Sequence, residues 1–255
     1  MAHSIAVVNQ KGGVGKTTTA VNVATFLAYF GKKVLLVDLD PQANATSGMG
    51  IRHSELDKGV YEAMVGVHPF PHVILGKADE RLHMAPATIQ LAGATVELVN
   101  LPRREYRLHD ALKSFSHDYD FIVIDCPPSL GLLTINGLVG ATHVLIPVQA
   151  EYYALEGLGQ LLNTINLVQQ NLHAELNILG AVITMYDKRV GLSEAVLKEL
   201  YQYFPKKIFR SVIPRNVRLA EAPSHGLPII NYDDKSRGAK AYEKLTREIL
   251  DTLRA

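Results

Sequence analysis

Asn9-Gln-Lys-Gly-Gly-Val-Gly-Lys-Thr-Thr-Thr19 is the stretch that decides the fold, because it joins an apolar run to the start of a helical pattern. The run before it, Ile5-Ala-Val-Val8, has the composition of a buried strand. Small residues in such a loop let backbone N–H groups approach phosphate oxygens, and the start of the following helix attracts anions. The stretch therefore predicts a phosphate-binding loop between a first strand and a first helix.

The same alternation of strand and helix continues along the chain. Further short apolar runs lie at residues 34–37, 121–124, 144–146 and 178–183, and helical patterns lie at about 17–30, 90–113, 130–140, 155–171 and 191–203. Apolar runs without polar alternation are expected for parallel strands that are covered on both faces. We predict an α/β fold with a doubly wound, mostly parallel sheet, helices on both faces and a single domain over residues 1–255. Residues 51–80 are the least regular part and are expected to form surface structure.

The composition restricts the class of protein. Hydrophobic residues make up 47% and charged residues 20% of the 255 residues, which suits a chain with a full core. Cys126 is the only cysteine, which excludes a disulfide framework or a cysteine metal cage within one chain. No apolar run reaches the roughly 18 residues of a membrane span, and the N-terminus lacks a signal-peptide pattern. We expect a cytoplasmic protein.

The loop suggests a task for several of its residues. Lys16 is expected to reach the β- and γ-phosphates, the Thr17 hydroxyl to ligate Mg²⁺, and Thr18 to contact the α-phosphate. The match to G-x-x-x-x-G-K-[ST] is imperfect, because Gln10 stands where the first glycine belongs and a second lysine follows it. The predicted nucleotide-binding residues of the loop are Lys11, Gly12, Gly13, Val14, Gly15, Lys16, Thr17 and Thr18.

The variant loop K-G-G-x-G-K-T-T resembles the deviant Walker A motif of the ParA/MinD family of P-loop ATPases. Val37-Asp-Leu-Asp-Pro-Gln42 is similar to the family's second motif, and Ile122-Val-Ile-Asp-Cys-Pro-Pro128 is similar to its Walker B segment. Ile213-Pro-Arg-Asn-Val-Arg-Leu-Ala-Glu-Ala-Pro-Ser-His-Gly226 resembles the base-binding and C-terminal signature of chromosomal ParA (Soj) proteins. The resemblance covers essentially the whole chain, with four motifs in the expected order.

The resemblance implies a Mg²⁺-dependent ATPase with ATP and Mg²⁺ as cofactors. Asp125 would hold Mg²⁺ through water, since Mg²⁺ keeps several waters and takes few protein carboxylates. Asp40 would orient the attacking water, and Asp38 would lie near the Mg²⁺ unless it only caps a turn. Lys11 would reach across a dimer interface to the partner's ATP, or else neutralise the phosphates of its own subunit. The implied catalytic residues are Lys11, Lys16, Asp40 and Asp125, and the implied metal-site residues are Thr17, Asp38 and Asp125.

Further residues match family positions outside the loop. Pro214 and Asn216 correspond to positions around the adenine, where the amide of Asn216 can offer both a donor and an acceptor to the base. Met185 is a third candidate for a base contact. The alternative is that it is an ordinary methionine at the edge of the core. Glu151 is a weaker candidate for contact with a partner subunit.

The net charge of +1 hides an asymmetry. Residues 1–184 contain 12 Lys and Arg against 16 Asp and Glu, whereas residues 185–240 contain 11 against 6. This excess indicates either a solvated face or a patch that binds polyanions. Arg189 and Arg218 match arginines implicated in DNA binding by Soj-type proteins. Weaker candidates are Lys206, Lys207, Arg210, Lys235 and Lys240.

The resemblance favours a partition ATPase whose ATP-dependent homodimer coats nucleoid DNA without sequence choice. A ParB-type centromere-binding partner would stimulate hydrolysis and release the dimer from double-stranded DNA. The alternative is a MinD-like ATPase that positions the division site, which needs a C-terminal membrane-targeting helix. A metallocluster enzyme would need two cluster cysteines per subunit, and a metabolic or capsule-regulating relative is the fourth alternative.

The C-terminal pattern decides between partition and membrane targeting. Residues 238–254 mix acidic and basic residues on the polar face, whereas a membrane-surface helix would have a basic one. We therefore expect this helix to pack on the core, without membrane contact. Its apolar face is formed by Tyr242, Leu245, Ile249 and Leu253.

Overall fold

The computed structural model describes residues 2–76, 80–150, 157–187, 189, 200–205 and 207–254. Within them, seven strands form one sheet in the order β3-β2-β4-β1-β5-β6-β7, and every pairing between neighbouring strands is parallel. The predicted fold class is therefore confirmed. The strands are β1 (His3–Val7), β2 (Val34–Asp38), β3 (Leu82–Ala85), β4 (Phe121–Asp125), β5 (His143–Gln149), β6 (Asn177–Tyr186) and β7 (Ile208–Pro214).

Helices connect the strands and cover the sheet. The longest is the C-terminal helix, Arg237–Leu253, which packs against the first helix, Lys16–Tyr29. In the described residues, the α-helices are α1 (Lys16–Tyr29), α2 (Asn44–Gly48), α3 (Val60–Val65), α4 (Ala94–Glu97), α5 (Arg107–Lys113), α6 (Leu132–Val139), α7 (Leu158–Asn171), α8 (Val217–Glu221), α9 (Ile229–Asp233) and α10 (Arg237–Leu253).

The central strands are apolar throughout because both of their faces are buried. Successive side chains of a strand point to opposite faces. In β2, Val34 and Leu36 pack in the core layer that contains α1 and α10, whereas Leu35 and Val37 pack in the other layer. This second layer is built from α3, α5, α6 and α7. Two hydrophobic layers therefore enclose the sheet, as the uninterrupted apolar runs predict.

All five predicted strands are present, but the two strands at the edges of the sheet are not predicted. The first of these, β3, has four residues and contains the polar His83. The second, β7, contains the exposed Arg210 and ends at Pro214. Edge strands are paired on one side and need less apolar sequence, so they leave a weaker signal than central strands.

Two other expectations are wrong. The helix predicted at 90–113 is broken into α4, α5 and three short 3₁₀ turns, because Pro102 cannot continue a helix and Arg103 has a φ of +54°. Residues 51–80 do not form surface structure alone, because α3 and the turn after it bury apolar side chains in the core. The helix predicted at 191–203 lies largely outside the described residues. The buried side chains within 51–80 include Val60, Tyr61, Met64, Phe70 and Val73.

The C-terminal helix α10 packs on the core, as its charge pattern predicts. Tyr242, Leu245 and Ile249 are buried in the layer that α1 also joins. The Tyr242 hydroxyl lies 3.1 Å from the Thr19 hydroxyl, so α10 is hydrogen-bonded to the helix that follows the phosphate loop. Among the described residues, no helix combines the length and the hydrophobicity that crossing a bilayer requires.

We expect Leu245→Ala to destabilise the protein by about 2–5 kcal/mol, because it removes fully buried methyl groups and leaves a cavity between α10 and α1. Lys244→Ala, at the neighbouring exposed position of α10, is the control and should change stability by less than about 0.5 kcal/mol. Urea unfolding measures both. Equal effects of the two substitutions would contradict the packing role of α10.

Candidate nucleotide and magnesium site

The phosphate loop is held at both ends by buried polar side chains. At its start, the Asn9 amide donates to the carbonyl oxygen of Pro147 at 2.7 Å, and its oxygen accepts the backbone N–H of Lys11 at 3.0 Å. Further along, the buried Thr184 hydroxyl donates to the Val14 carbonyl oxygen at 2.8 Å. These hydrogen bonds fix the loop to β5 and β6.

Two glycines give the loop its shape. Gly13 has a φ of +74° and Gly15 a φ of +86°, a left-handed conformation that side chains disfavour. Gly15 is also the N-cap of α1, and no side chain caps this helix. The first N–H groups of α1 are therefore available to an anion, as the sequence predicts for a phosphate.

Lys16 is a buried cation at the centre of the loop. Its side-chain nitrogen donates to the carbonyl oxygen of Lys11 at 3.0 Å, and only 6% of the residue is exposed. Burial lowers the pKa of this amine, and the nearby carboxylates Asp125 and Asp40 partly oppose that change. A bound phosphate would supply a further negative partner for this buried ammonium.

Two carboxylates end neighbouring strands beside the loop. Asp38 at the end of β2 and Asp125 at the end of β4 are paired in register, and both are fully buried. Neither oxygen of Asp125 accepts a hydrogen bond from the described residues. The Thr17 hydroxyl lies near enough to favour the charged form of Asp125, but not in the geometry of a hydrogen bond. Burial, and then the charge of Asp38, raises the pKa of Asp125 well above its usual value.

A carboxylate in this position fits Mg²⁺. An unpartnered buried carboxylate is costly unless a cation or a proton neutralises it. Mg²⁺ prefers oxygen ligands and keeps several waters, so the Thr17 hydroxyl as a ligand and Asp125 acting through water would suffice on the protein side, beside the phosphates. The structure thus brings together Thr17, Lys16 and Asp125, and their predicted roles stay predictions.

Asp38 differs from Asp125 because its oxygens are already hydrogen-bonded. One oxygen accepts the backbone N–H of Asp40 at 3.1 Å, and the other accepts the N–H and the hydroxyl of Thr46 at 2.8 and 2.7 Å. Burial raises the pKa of Asp38 to about 6, although these hydrogen bonds oppose the shift. Asp38 therefore makes the contacts of a turn cap, which was the alternative interpretation. The predicted place of Asp38 near Mg²⁺ stays a prediction.

Asp40 lies on the wall of a cavity of about 590 Å³ that the phosphate loop also lines. One of its oxygens accepts the Gln42 N–H at 3.0 Å, and Asp40 is near enough to Lys16 to raise the pKa of that amine. This volume lies in the range of cofactor sites. The position of Asp40 is compatible with orienting water, a role that stays a prediction.

One part of this cavity's lining was not among the predicted site residues. It comprises residues 222–224 and 227–229, and the buried Asn22 joins it to α1. The Asn22 amide donates to the Thr18 carbonyl oxygen at 2.7 Å, and its oxygen accepts the Ile229 N–H at 2.8 Å. The sequence feature that could have indicated this part of the cavity is the pair of prolines at 223 and 228 around Gly226.

The three predicted base contacts meet at one smaller cavity of about 260 Å³. Met185, Pro214 and Asn216 line it together with Gly15 and Thr18, so it adjoins the phosphate loop. Asn216 caps α8, because its side-chain oxygen accepts the Leu219 N–H at 3.3 Å. The oxygen of Asn216 has a second lone pair and its NH₂ group can still donate, so the predicted contact of this amide with a base stays a prediction.

The two predicted DNA-binding arginines lie on the surface and are paired with carboxylates. Arg189 has 87% of its side chain exposed and contacts Asp187 at 2.7 Å. Arg218 has 54% exposed and contacts Glu221 at 2.9 Å and Asp233 at 3.5 Å. The two predicted positions that lie outside the described residues are Glu151 and Lys206.

Comparisons with known proteins agree with the motifs. A family model described as an AAA domain matches residues 2–178. Sporulation initiation inhibitor protein Soj of Bacillus subtilis (strain 168) is 55% identical over 98% of both chains. Chromosome partitioning protein ParA of Myxococcus xanthus (strain DK1622) is 51% identical over 96% of this chain and 87% of its own.

A solved structure has the same fold. Cobyrinic acid a,c-diamide synthase from Mycobacterium smegmatis, with bound ADP and magnesium, superposes with a TM-score of 0.88 and 37% identity, covering 100% of this chain and 96% of its own. The same synthase with an ATP analog and magnesium gives a TM-score of 0.88 at 38% identity, covering 100% and 97%. Both structures hold a nucleotide and magnesium in a protein of this architecture.

We expect Asp125→Asn to abolish the extra thermal stabilisation that Mg²⁺ adds to ATP, because it removes the unpartnered carboxylate. Without ligand, the variant should be at least as stable as the wild type at pH 8, because it no longer buries this charge. Thermal unfolding with ATP, with and without Mg²⁺, measures both effects. Asp57→Asn, at an exposed position, is the control. A variant that unfolds more easily at pH 8, or that still responds to Mg²⁺, would contradict this assignment.

The same variant should change how stability depends on pH. A carboxyl whose folded pKa is raised stabilises the folded state below its unfolded pKa near 4, and this contribution is lost as pH rises. For Asp38 the loss extends to about pH 6, and the raised pKa of Asp125 adds a loss in the same direction. Without ligand, the wild type should therefore lose stability more steeply than Asp125→Asn from pH 4 upward.

Proposed function

Because the chain belongs to the Soj/ParA family of chromosome-partitioning ATPases, we propose that it hydrolyses Mg-ATP and uses ATP to form a DNA-binding homodimer. A ParB-type centromere-binding partner would stimulate hydrolysis and release the dimer from the nucleoid in the cytoplasm. Identities of 55% and 51% to partition proteins favour this function over that of the synthase, at 37%. Burial of the apolar face of α10 speaks against the MinD-like alternative.

The chemistry of the site supports Mg-ATP as its ligand. Lys16 would bind the β- and γ-phosphates, Asp125 and Thr17 would hold the metal, and Met185 and Pro214 would contact the base. Bound Mg²⁺ would neutralise phosphate charge and favour the transfer of the γ-phosphoryl group to water. Asp40 would orient that water. The observation that carries the hydrolytic proposal is the buried carboxylate of Asp125, which accepts no hydrogen bond from the described residues, near the buried ammonium of Lys16.

The surface around Gly12 supports an ATP sandwich between two subunits. Gly12 is exposed, and a Cβ atom added there would meet no described atom of the subunit within 4 Å. Lys11 has its N–H bonded to Asn9 and its carbonyl oxygen bonded to Lys16, so its backbone is fixed at this face. The Lys11 side chain would reach the partner's phosphates, while Lys16 serves its own subunit.

We expect Gly12→Val to bind ATP as a monomer and to fail to dimerise, because the new side chain fits the subunit but obstructs a facing loop. Calorimetry should give an ATP affinity within about threefold of the wild type, and sedimentation velocity should show no ATP-dependent dimer. Asp40→Ala is the contrasting variant, since loss of water positioning should accumulate the ATP-bound dimer. An ATP-dependent dimer of Gly12→Val would refute the face-to-face arrangement.

A basic groove supports the proposed binding of DNA. It lies between β7 and α10, has a volume of about 640 Å³ and contains four exposed cationic residues without an acidic neighbour in its lining. In the described part of the chain, none of these cations has an ion-pair partner. Tyr186 and Pro214 form part of its floor. The four cations are Arg210, Arg237, Lys240 and Lys244, of which sequence analysis named Arg210 and Lys240.

The groove is a better source of phosphate contacts than Arg189 and Arg218 alone. Their carboxylate partners reduce the charge that these arginines offer, whereas the four cations of the groove have no ion-pair partner among the described residues. Exposed ion pairs contribute only about 0–1 kcal/mol, so a phosphate can replace the carboxylate at modest cost. We therefore assign the groove the main contact and the two arginines a contribution beside it. Dimerisation would present two such surfaces to one duplex.

Lys240→Glu/Lys244→Glu should abolish ATP-dependent binding to non-specific duplex DNA while ATP binding and dimerisation persist. If some binding survives at low salt, its dependence on log salt should be shallower by about 2 per subunit, one unit for each lost phosphate contact. Fluorescence anisotropy in ATP, in ADP and without nucleotide measures this. The control, Lys58→Glu/Lys113→Glu, changes charge equally at exposed positions outside the groove. Arg189→Glu/Arg218→Glu should weaken binding less than the groove variant. Unchanged affinity in the groove variant would contradict the assignment.

A further inference from the structure

We infer that Thr46 is a positioning residue for ATP hydrolysis, which acts by holding Asp38 and thereby the segment that carries Asp40. This inference rests on the proposed hydrolytic function. It gives a role to a residue outside the phosphate loop that lines neither nucleotide cavity. Thr46 must therefore act through other residues rather than by touching the nucleotide.

The backbone N–H and the hydroxyl of Thr46 form hydrogen bonds with other groups of the protein. Thr46 is completely buried, and both its N–H and its hydroxyl donate to one oxygen of Asp38, at 2.8 and 2.7 Å. The hydroxyl oxygen also accepts the backbone N–H of Ala87 at 3.0 Å. A hydroxyl can donate once and accept, so both capacities are used. The side chain thus joins the end of β2 to the segment after β3.

The second oxygen of Asp38 extends this connection to Asp40. It accepts the Asp40 N–H at 3.1 Å, while the Leu39 N–H donates to the Asp125 carbonyl oxygen at 2.9 Å. The backbone at 38–40 is therefore fixed from both sides. Asp40 in turn accepts the Gln42 N–H, which orients its carboxylate at the wall of the larger cavity.

The turn after Asp40 needs support that its own sequence does not provide. Ala43, the N-cap of α2, has a φ of +52°, a conformation that non-glycine residues rarely adopt, and its side chain cannot accept a hydrogen bond. The Asp38 carboxylate supplies the missing acceptor through the Thr46 N–H. Removing the hydroxyl would weaken this support while leaving the phosphate loop and Lys16 untouched.

Thr46→Val tests the inference, because valine keeps the shape of threonine and removes the hydroxyl. We expect kcat to fall about 10- to 100-fold, as for other residues that orient a catalytic group, with the dissociation constant for Mg-ATP changed less than about threefold. Thr46→Ser restores the hydroxyl and should recover kcat to within about threefold. Thr246→Val is the matched control, because Thr246 is also fully buried and its hydroxyl donates to the Tyr242 carbonyl oxygen at 2.8 Å.

A double-mutant cycle separates positioning from general damage. In an Asp40→Ala background, Thr46→Val should cause no further loss of kcat, because the group that it positions is absent. If Thr46→Val does not fold, Thr46→Ala in the same cycle carries the test. Wild-type kcat in Thr46→Val, failure of rescue by serine, or equal loss of ATP affinity and kcat would overturn the inference. A wild-type protein that hydrolyses no ATP would instead overturn the proposed function.

Discussion

Two fully buried carboxylates, Asp38 and Asp125, stand in register at the ends of neighbouring parallel strands. Parallel pairing forces this proximity, since β2 and β4 end at the same edge of the sheet. Ordinarily, two like charges without water would be strongly unfavourable. Asp38 is stabilised by three hydrogen-bond donors, Asp125 by none that the described residues supply, and Lys16 stands close to Asp125. This asymmetry makes Asp125 the more suitable of the two carboxylates for neutralisation by a cation, which supports the proposed site for Mg²⁺ and phosphate.

Much of this arrangement is encoded locally and could be predicted. The phosphate loop depends on glycines and a lysine at fixed spacing, and the central strands are apolar because both of their faces are covered. The edge strands β3 and β7 could not be found in this way, because His83 and Arg210 interrupt their apolar character. The difference in hydrogen bonding between Asp38 and Asp125 could not be predicted from the sequence either. It depends on Thr46, which only the folded turn brings to Asp38.

The surface positions at which positive charge stays unpaired were the hardest property to predict, because they depend on contacts that form only on folding. A count over residues 185–240 finds a basic excess but cannot say which cations keep their charge. Folding places Asp187 beside Arg189 and Glu221 beside Arg218, so the two most specific candidates are partly neutralised. It also collects Arg210 from β7 and Lys244 from α10 in one groove. Composition thus left two interpretations open, a solvated face or a patch that binds polyanions, and only the tertiary structure gives the positions of the cations.

The smaller cavity that the three predicted base contacts line, called the base cavity from here on, adjoins the basic groove. Pro214 lines both, and its register partner Tyr186 lines the groove, while the adjacent Met185 lines the base cavity. Met185 has a φ of +54°. The backbone is therefore left-handed at the point where Met185 lines the base cavity and the next residue, Tyr186, lines the groove. A base held against Met185 and Pro214 would contact the residues that shape the groove. A ligand shifts a conformational equilibrium only through such differential contacts. Shared residues at the ends of β6 and β7 therefore connect the predicted base contacts with the proposed DNA-binding groove, in addition to the doubling of the surface that the proposed dimer would bring.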